Sequence, residues 1–96
     1  MRVKINSIYN TKGKSKIVLL VSKFVSGTSP TFLTAIFDQT PAPDAINLPP
    51  IDVMSNYYFV SEITDNGLYK IDFPVSYIAI INMSNDANGD FFVEAI

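Results

Sequence analysis

In the run Asp86-Ala87-Asn88-Gly89-Asp90, carboxylate and carboxamide oxygens stand at alternate positions, a pattern that would let them converge on a hard cation such as calcium. The run departs from a calcium loop in two ways. Glycine falls at its fourth position instead of the sixth, and no bidentate glutamate closes it. The same residue types are ordinary in β-turns, so the expectation is a turn with no metal. The remaining carboxylates are scattered singly, with no two placed as an acid and base pair, and solvation is their expected role.

Histidine and cysteine are both absent. That excludes imidazole metal sites, Cys/His zinc sites, Ser-His-Asp triads and thiol nucleophiles. Catalysis would have to rest on carboxylate, lysine, tyrosine or serine alone, so the chain is expected to be neither an enzyme nor a cofactor carrier. Tyr57, Tyr58, Phe59, Phe91 and Phe92 would suit stacking on sugars or bases, but packing across a sheet accounts for such residues more simply.

Charge is unevenly spread. Residues 1–37 hold six Lys or Arg and no acid, whereas residues 38–96 hold nine acids and one lysine. One reading is that the two halves pair within a domain and neutralise each other, which is worth little per exposed pair. A sharper reading is head-to-tail assembly, a basic patch at Lys12, Lys14 and Lys16 meeting an acidic patch on the next copy. Nucleic acid ranks third as a partner, because net charge is −2 and those three lysines form only a short patch.

The elements that must position these residues read as strands throughout. Alternating or β-branched stretches are separated by Gly, Pro, Asn and Asp clusters, and no window keeps helical spacing. Strands are expected over Arg2–Tyr9, Lys16–Val25, Thr31–Asp38, Tyr57–Thr64, Leu68–Phe73, Ser76–Asn82 and Phe91–Ala95, seven in all. In the first, Val3, Ile5 and Tyr9 share the core face. Lys16–Val25 is apolar on both faces, which predicts a central strand covered on both sides. Asp65-Asn66-Gly67 predicts a tight hairpin, since Asn-Gly readily supplies two positive φ angles. Between Gln39 and Asn56, Pro41, Pro43, Pro49 and Pro50 oppose ladder pairing and mark a long loop. Its Ile46, Leu48, Ile51, Val53 and Met54 suggest packing over an apolar surface of this chain or of a neighbour, and with the three lysines they are the candidate interface.

Asp65-Asn66-Gly67-Leu68-Tyr69-Lys70-Ile71 resembles the D-x-G-x-Y-x-C signature of the immunoglobulin tyrosine corner, with Ile71 in the place of the cysteine. The resemblance implies an immunoglobulin-like sandwich with Tyr69 as fold anchor beside Asn66 and Gly67. No Trp stands on an earlier strand, however, and an Asn-Gly hairpin explains the same residues. The fold class is therefore a small antiparallel all-β sandwich, immunoglobulin-like or jelly-roll-like, in a single domain over residues 1–96.

Only 17% of residues are charged, against about 25% in ordinary domains, and mean hydropathy is positive. Strands this apolar are expected to meet another chain. The longest aliphatic run, Ile17–Val21, is far too short to span a membrane, and the first residues show no secretory signal, so synthesis in the cytosol and no membrane partner are expected. Composition resembles that of small phage structural proteins, with many Asn, Ile, Thr and Tyr residues and no Cys, His or Trp. The role expected first is a structural protein of a virion or phage, a capsid decoration, minor capsid or tail component that forms homo-oligomers or docks on a larger assembly. A monomeric carbohydrate- or protein-binding module and a small protein inhibitor are the alternatives.

Overall fold

The computed structural model describes residues 1–37 and 57–96. It is all-β: β1 (Arg2–Val3), β2 (Ile8–Asn10), β3 (Ile17–Val25), β4 (Thr31–Ile36), β5 (Tyr57–Glu62), β6 (Gly67–Ile71), β7 (Tyr77–Asn82) and β8 (Asn88–Ala95). Among the described residues these make two antiparallel four-stranded sheets, β1-β8-β3-β6 (sheet A) and β2-β7-β4-β5 (sheet B). Period-2 alternation sends one side of each strand between the sheets. Ile17, Leu19, Val21, Ile71, Phe91 and Val93 of sheet A meet Leu33, Ala35, Ile78 and Ile80 of sheet B in one core, with Ile63 and Val75 from the connections.

Strand order decides between the two sandwich types. β1 pairs with β8, β2 with β7, β3 with β6 and β4 with β5, as in one long antiparallel ribbon; rolling the ribbon up then adds β8·β3 and β7·β4. This is the jelly roll and not the immunoglobulin order. Seven expected strands become eight because Asn6 breaks the first. It takes a left-handed conformation (φ 59°), which Asn tolerates better than most residues, and the chain passes there from sheet A to sheet B. The last strand also starts earlier than expected, at Asn88.

Asp65-Asn66-Gly67 does not close a hairpin. β5 and β6 lie in opposite sheets, and Asn66 is not among the residues of positive φ. The turn serves as a crossover instead. The Asn66 carboxamide accepts the Phe24 N–H at 2.8 Å, a donor released where β3 bulges after Ser22 with Lys23 left-handed (φ 55°). Tyr69 does make the bond of a tyrosine corner: its hydroxyl donates to the Asp65 carbonyl at 2.8 Å, four residues upstream. Such a bond needs only a sharp turn before a strand and is indifferent to what the strand pairs with.

The rolled ribbon explains the charge pattern. Because strands of the first half pair with strands of the second, basic β1 and β3 alternate in sheet A with β8 and β6. Arg2 meets Asp90 at 2.6 Å, the one ion pair among the described residues. Segregation along the sequence becomes interleaving in space.

The outer faces differ. On sheet B, Ile36, Tyr77, Ala79 and Ile81 form a second buried cluster with Ile8 against it, so that every residue of β7 is buried. On sheet A the outward side of β3 is not covered in this way: Val18 is half-buried and Leu20 is 45% exposed. The expectation of a central strand fits the position of β3, but not the covering of both its faces.

Candidate interaction surfaces

Four connections meet at one end of the sandwich: those from β1 to β2, β3 to β4, β5 to β6 and β7 to β8. Asn82, the last residue of β7, has no exposed surface and joins three of them. Its Nδ2 donates to the Ser29 carbonyl (2.9 Å) and to Thr31 Oγ1 (3.0 Å). Its Oδ1 accepts the Asp86 N–H (3.1 Å) and lies 3.2 Å from Ser84 Oγ. Its backbone N–H and C=O are both met by the Asn6 carboxamide, at 2.9 and 2.8 Å, so that a side chain stands in for a ladder peptide before β2 begins.

Asp86 ties the same loops from the solvent side. Its carboxylate accepts the Thr28 hydroxyl (2.7 Å), the Thr28 N–H (3.1 Å) and the Ser84 hydroxyl (2.6 Å). Ser84 has one hydroxyl hydrogen, and the short contact to the carboxylate takes it; Ser29 Oγ, 2.7 Å away, is then the donor to Ser84. These bonds stabilise the ionised form and hold the Asp86 carboxyl below its ordinary value of 3.8, the Ser84 hydroxyl first and Thr28 after it. A carboxylate with a depressed folded pKa stabilises the fold above its unfolded value and loses that contribution as pH falls through the folded one. The melting temperature of the unmodified protein is therefore expected to exceed that of Asp86→Asn at neutral pH, with the gap closing below about pH 4. A gap that stays constant to pH 2 would show that the charge of Asp86 contributes nothing.

Asp86 turns to Thr28 and Ser84, Asp90 to Arg2, and among the described residues no three His, Cys, Asp or Glu side chains gather within reach of one ion. The loop from Ser84 to Asp90 directs much of its polar chemistry inward, as struts between loops.

Of the five aromatics singled out in the sequence, four are engaged in packing. Phe91 is buried edge-on to Phe24, Phe59 stacks on Phe32 with ring centroids 4.3 Å apart, Tyr57 tilts against Phe59, and Tyr58 meets Phe73. Phe92 points outward from sheet A and is 41% exposed, between Tyr57 at 36% and Tyr58 at 54%. In the ladder register Leu20 lies opposite both Phe92 and Leu68, and Leu68 is 62% exposed. Leu68, Leu20 and Phe92 thus form one apolar row across β6, β3 and β8. The next row along the strands is Lys70, Val18, Glu94.

Of the residues expected at an interface, the structure describes the three lysines alone. Lys12, Lys14 and Lys16 are exposed on the connection from β2 to β3, at the end of the sandwich opposite Asn82. Ile46, Leu48, Ile51, Val53 and Met54 lie outside the described residues. Leu68 is an outward position by alternation, Leu20 lies on a strand apolar on both faces and Phe92 stands among aromatics read as sheet packing; only the cross-strand register brings the three into one row. No helix among the described residues is long and apolar enough to cross a membrane.

No family model, no curated protein and no solved structure shows significant similarity to this chain. The surfaces themselves must carry any functional reading.

Proposed function

We propose that this chain is a non-catalytic structural protein that works by assembly, self-associating or docking on a larger particle through the outer face of sheet A, and that it is a small component of a virion or phage. The observation that carries the reading is the row Leu68–Leu20–Phe92, three large apolar side chains in register on an open sheet face. Aligned apolar side chains of this kind mark protein–protein contact more often than scattered ones do. The virion assignment adds an analogy: jelly rolls build capsid shells, although they also serve lectins and cupins. Composition adds weight in the same direction. The carbohydrate- or protein-binding alternative would use the proline-rich loop and the loop from Ser84 to Asp90 as a rim; the first lies outside the described residues, and Asp86 of the second is engaged in bonds to Thr28 and Asn82.

Light-scattering mass measured from micromolar to millimolar concentration tests the reading. The expected result is a mass above the 10.6 kDa of one chain that rises with concentration. Leu20→Lys should return it to the monomer with little change in melting temperature, since an outward position tolerates charge within about 0.5 kcal/mol. A chain that stays monomeric throughout would reject self-association, and an oligomer indifferent to Leu20→Lys would remove this face from the reading.

A further inference from the structure

We infer that the partner of the sheet A face is a second copy of this chain, related by a two-fold axis running along β3; the inference rests on the assembly role proposed above. The argument is one of register. Leu68 and Phe92 flank Leu20 from β6 and β8, and Lys70 and Glu94 flank Val18 from the same two strands. Turning a copy by 180° about an axis parallel to β3 lays its β8 over β6 and its β6 over β8. Leu20 then meets Leu20, Val18 meets Val18, and Leu68 meets Phe92 twice. Lys70 meets Glu94 of the other copy, also twice. The part of the face made by β6, β3 and β8 is therefore its own complement in both shape class and charge, which is what an isologous contact requires, and Arg2, which continues the row on β1, falls outside it.

An axis lying across the strands fails the same test: between the two rows it sets Lys70 on Leu68 and Glu94 on Phe92, charges taken from water with no partner, and through the Leu20 row it sets Glu94 over Asp90 of the other copy, like charge on like. Within one chain the two charges sit two strand spacings apart, roughly 10 Å, and neither has an ion-pair partner among the described residues. The strands of the two copies pack face to face as in any aligned sandwich, so the arrangement needs no backbone change. A contact three strands wide, roughly 15 Å by 20 Å, is smaller than the roughly 800 Å² per partner of a standard interface. Weak dimerisation is therefore expected.

The test is a charge exchange read by sedimentation equilibrium. Lys70→Glu alone creates two Glu–Glu contacts and Glu94→Lys alone two Lys–Lys contacts, and each should raise the dissociation constant on the order of 100-fold. An equimolar mixture of the two variants should dimerise as the unmodified protein does, because every contact in the mixed pair is again between opposite charges. So should the double variant carrying both exchanges. Both positions are exposed, so each variant should keep the melting temperature of the parent. Restored dimerisation in the mixture establishes the two-fold axis along β3. A self-association that ignores both exchanges places the contact elsewhere and overturns this dimer while leaving assembly intact. A strict monomer overturns the self-association itself.

Discussion

Asn82→Ala is expected to cost about 3 to 4 kcal/mol, a large share of the stability of a domain this size. The alanine leaves the Ser29 carbonyl, the Thr31 hydroxyl and the Asp86 N–H without the partner that each has now. Each buried polar group left unpaired costs about 1 to 3 kcal/mol, and Asn82 is fully enclosed, so water can replace its bonds only if the loops open. In urea the midpoint should fall with little change in slope. The melting temperature should drop by roughly 15 to 25 °C. Asn82→Asp makes the argument sharper. It keeps the shape and the acceptor for Asp86 N–H but turns a carboxylate oxygen toward the Ser29 carbonyl, which can only accept, and removes the donor to Thr31 Oγ1. Burial among acceptors raises such a carboxyl above its unfolded value, so the variant should be least stable at neutral pH and recover as pH falls below about 5. If Asn82→Ala loses less than about 1 kcal/mol, the network only decorates that end of the sandwich.

Gly27→Ala should be nearly as damaging, for a steric reason. A methyl group at Gly27 would stand 2.0 Å from Asp86 Oδ1 and 2.9 Å from the Ala87 backbone nitrogen, both well inside contact distance. The clash is with the carboxylate that Thr28 and Ser84 hold in place, so relief requires breaking those bonds or moving the β7–β8 connection. Overpacking of this kind costs about 1 to 3 kcal/mol, and the backbone contact points to the upper end. Combining the substitution with Asp86→Ala should recover part of the loss, since the nearest obstacle is side chain, and leave the remainder due to Ala87. Additive effects of the two substitutions would show that the loops do not touch in the way described. Gly13, where an added methyl meets no atom within 4 Å, makes the control, although its φ of +74° adds a strain of its own.

Both predictions concern the end of the sandwich that the sequence left least defined. Asn82 closes a run of five apolar residues and looks like an ordinary strand terminus; Asn6 lies in the middle of an alternating stretch and looks like an outward strand position. Neither shows in its neighbours that a carboxamide will complete a ladder 76 residues away. The outcome on β6 was more legible. Tyr69 and Ile71 face inward and Leu68 and Lys70 outward as alternation requires, and the bond of Tyr69 to Asp65 spans only four residues. Asn66-Gly67 misled because a turn of that composition fits a hairpin, and what made it a crossover was the pull of the β3 bulge on the Asn66 carboxamide and of two different sheets on its flanking strands.

What the sequence by itself determined was local: a chain made of strands, which side of most strands faces the core, where the chain turns, and the absence of thiol and imidazole chemistry. Those features depend on residue type and on a period of two, and neighbours along the chain suffice to set them. Only the tertiary structure decided that the ribbon rolls into a jelly roll, that Arg2 of the basic half meets Asp90 of the acidic half, and that Leu68, Leu20 and Phe92 stand in one row above Lys70, Val18 and Glu94. Each of these depends on strand register between residues far apart in the sequence. Alternation alone leaves register open, because sliding a strand by two residues keeps its core face while changing every neighbour across the sheet.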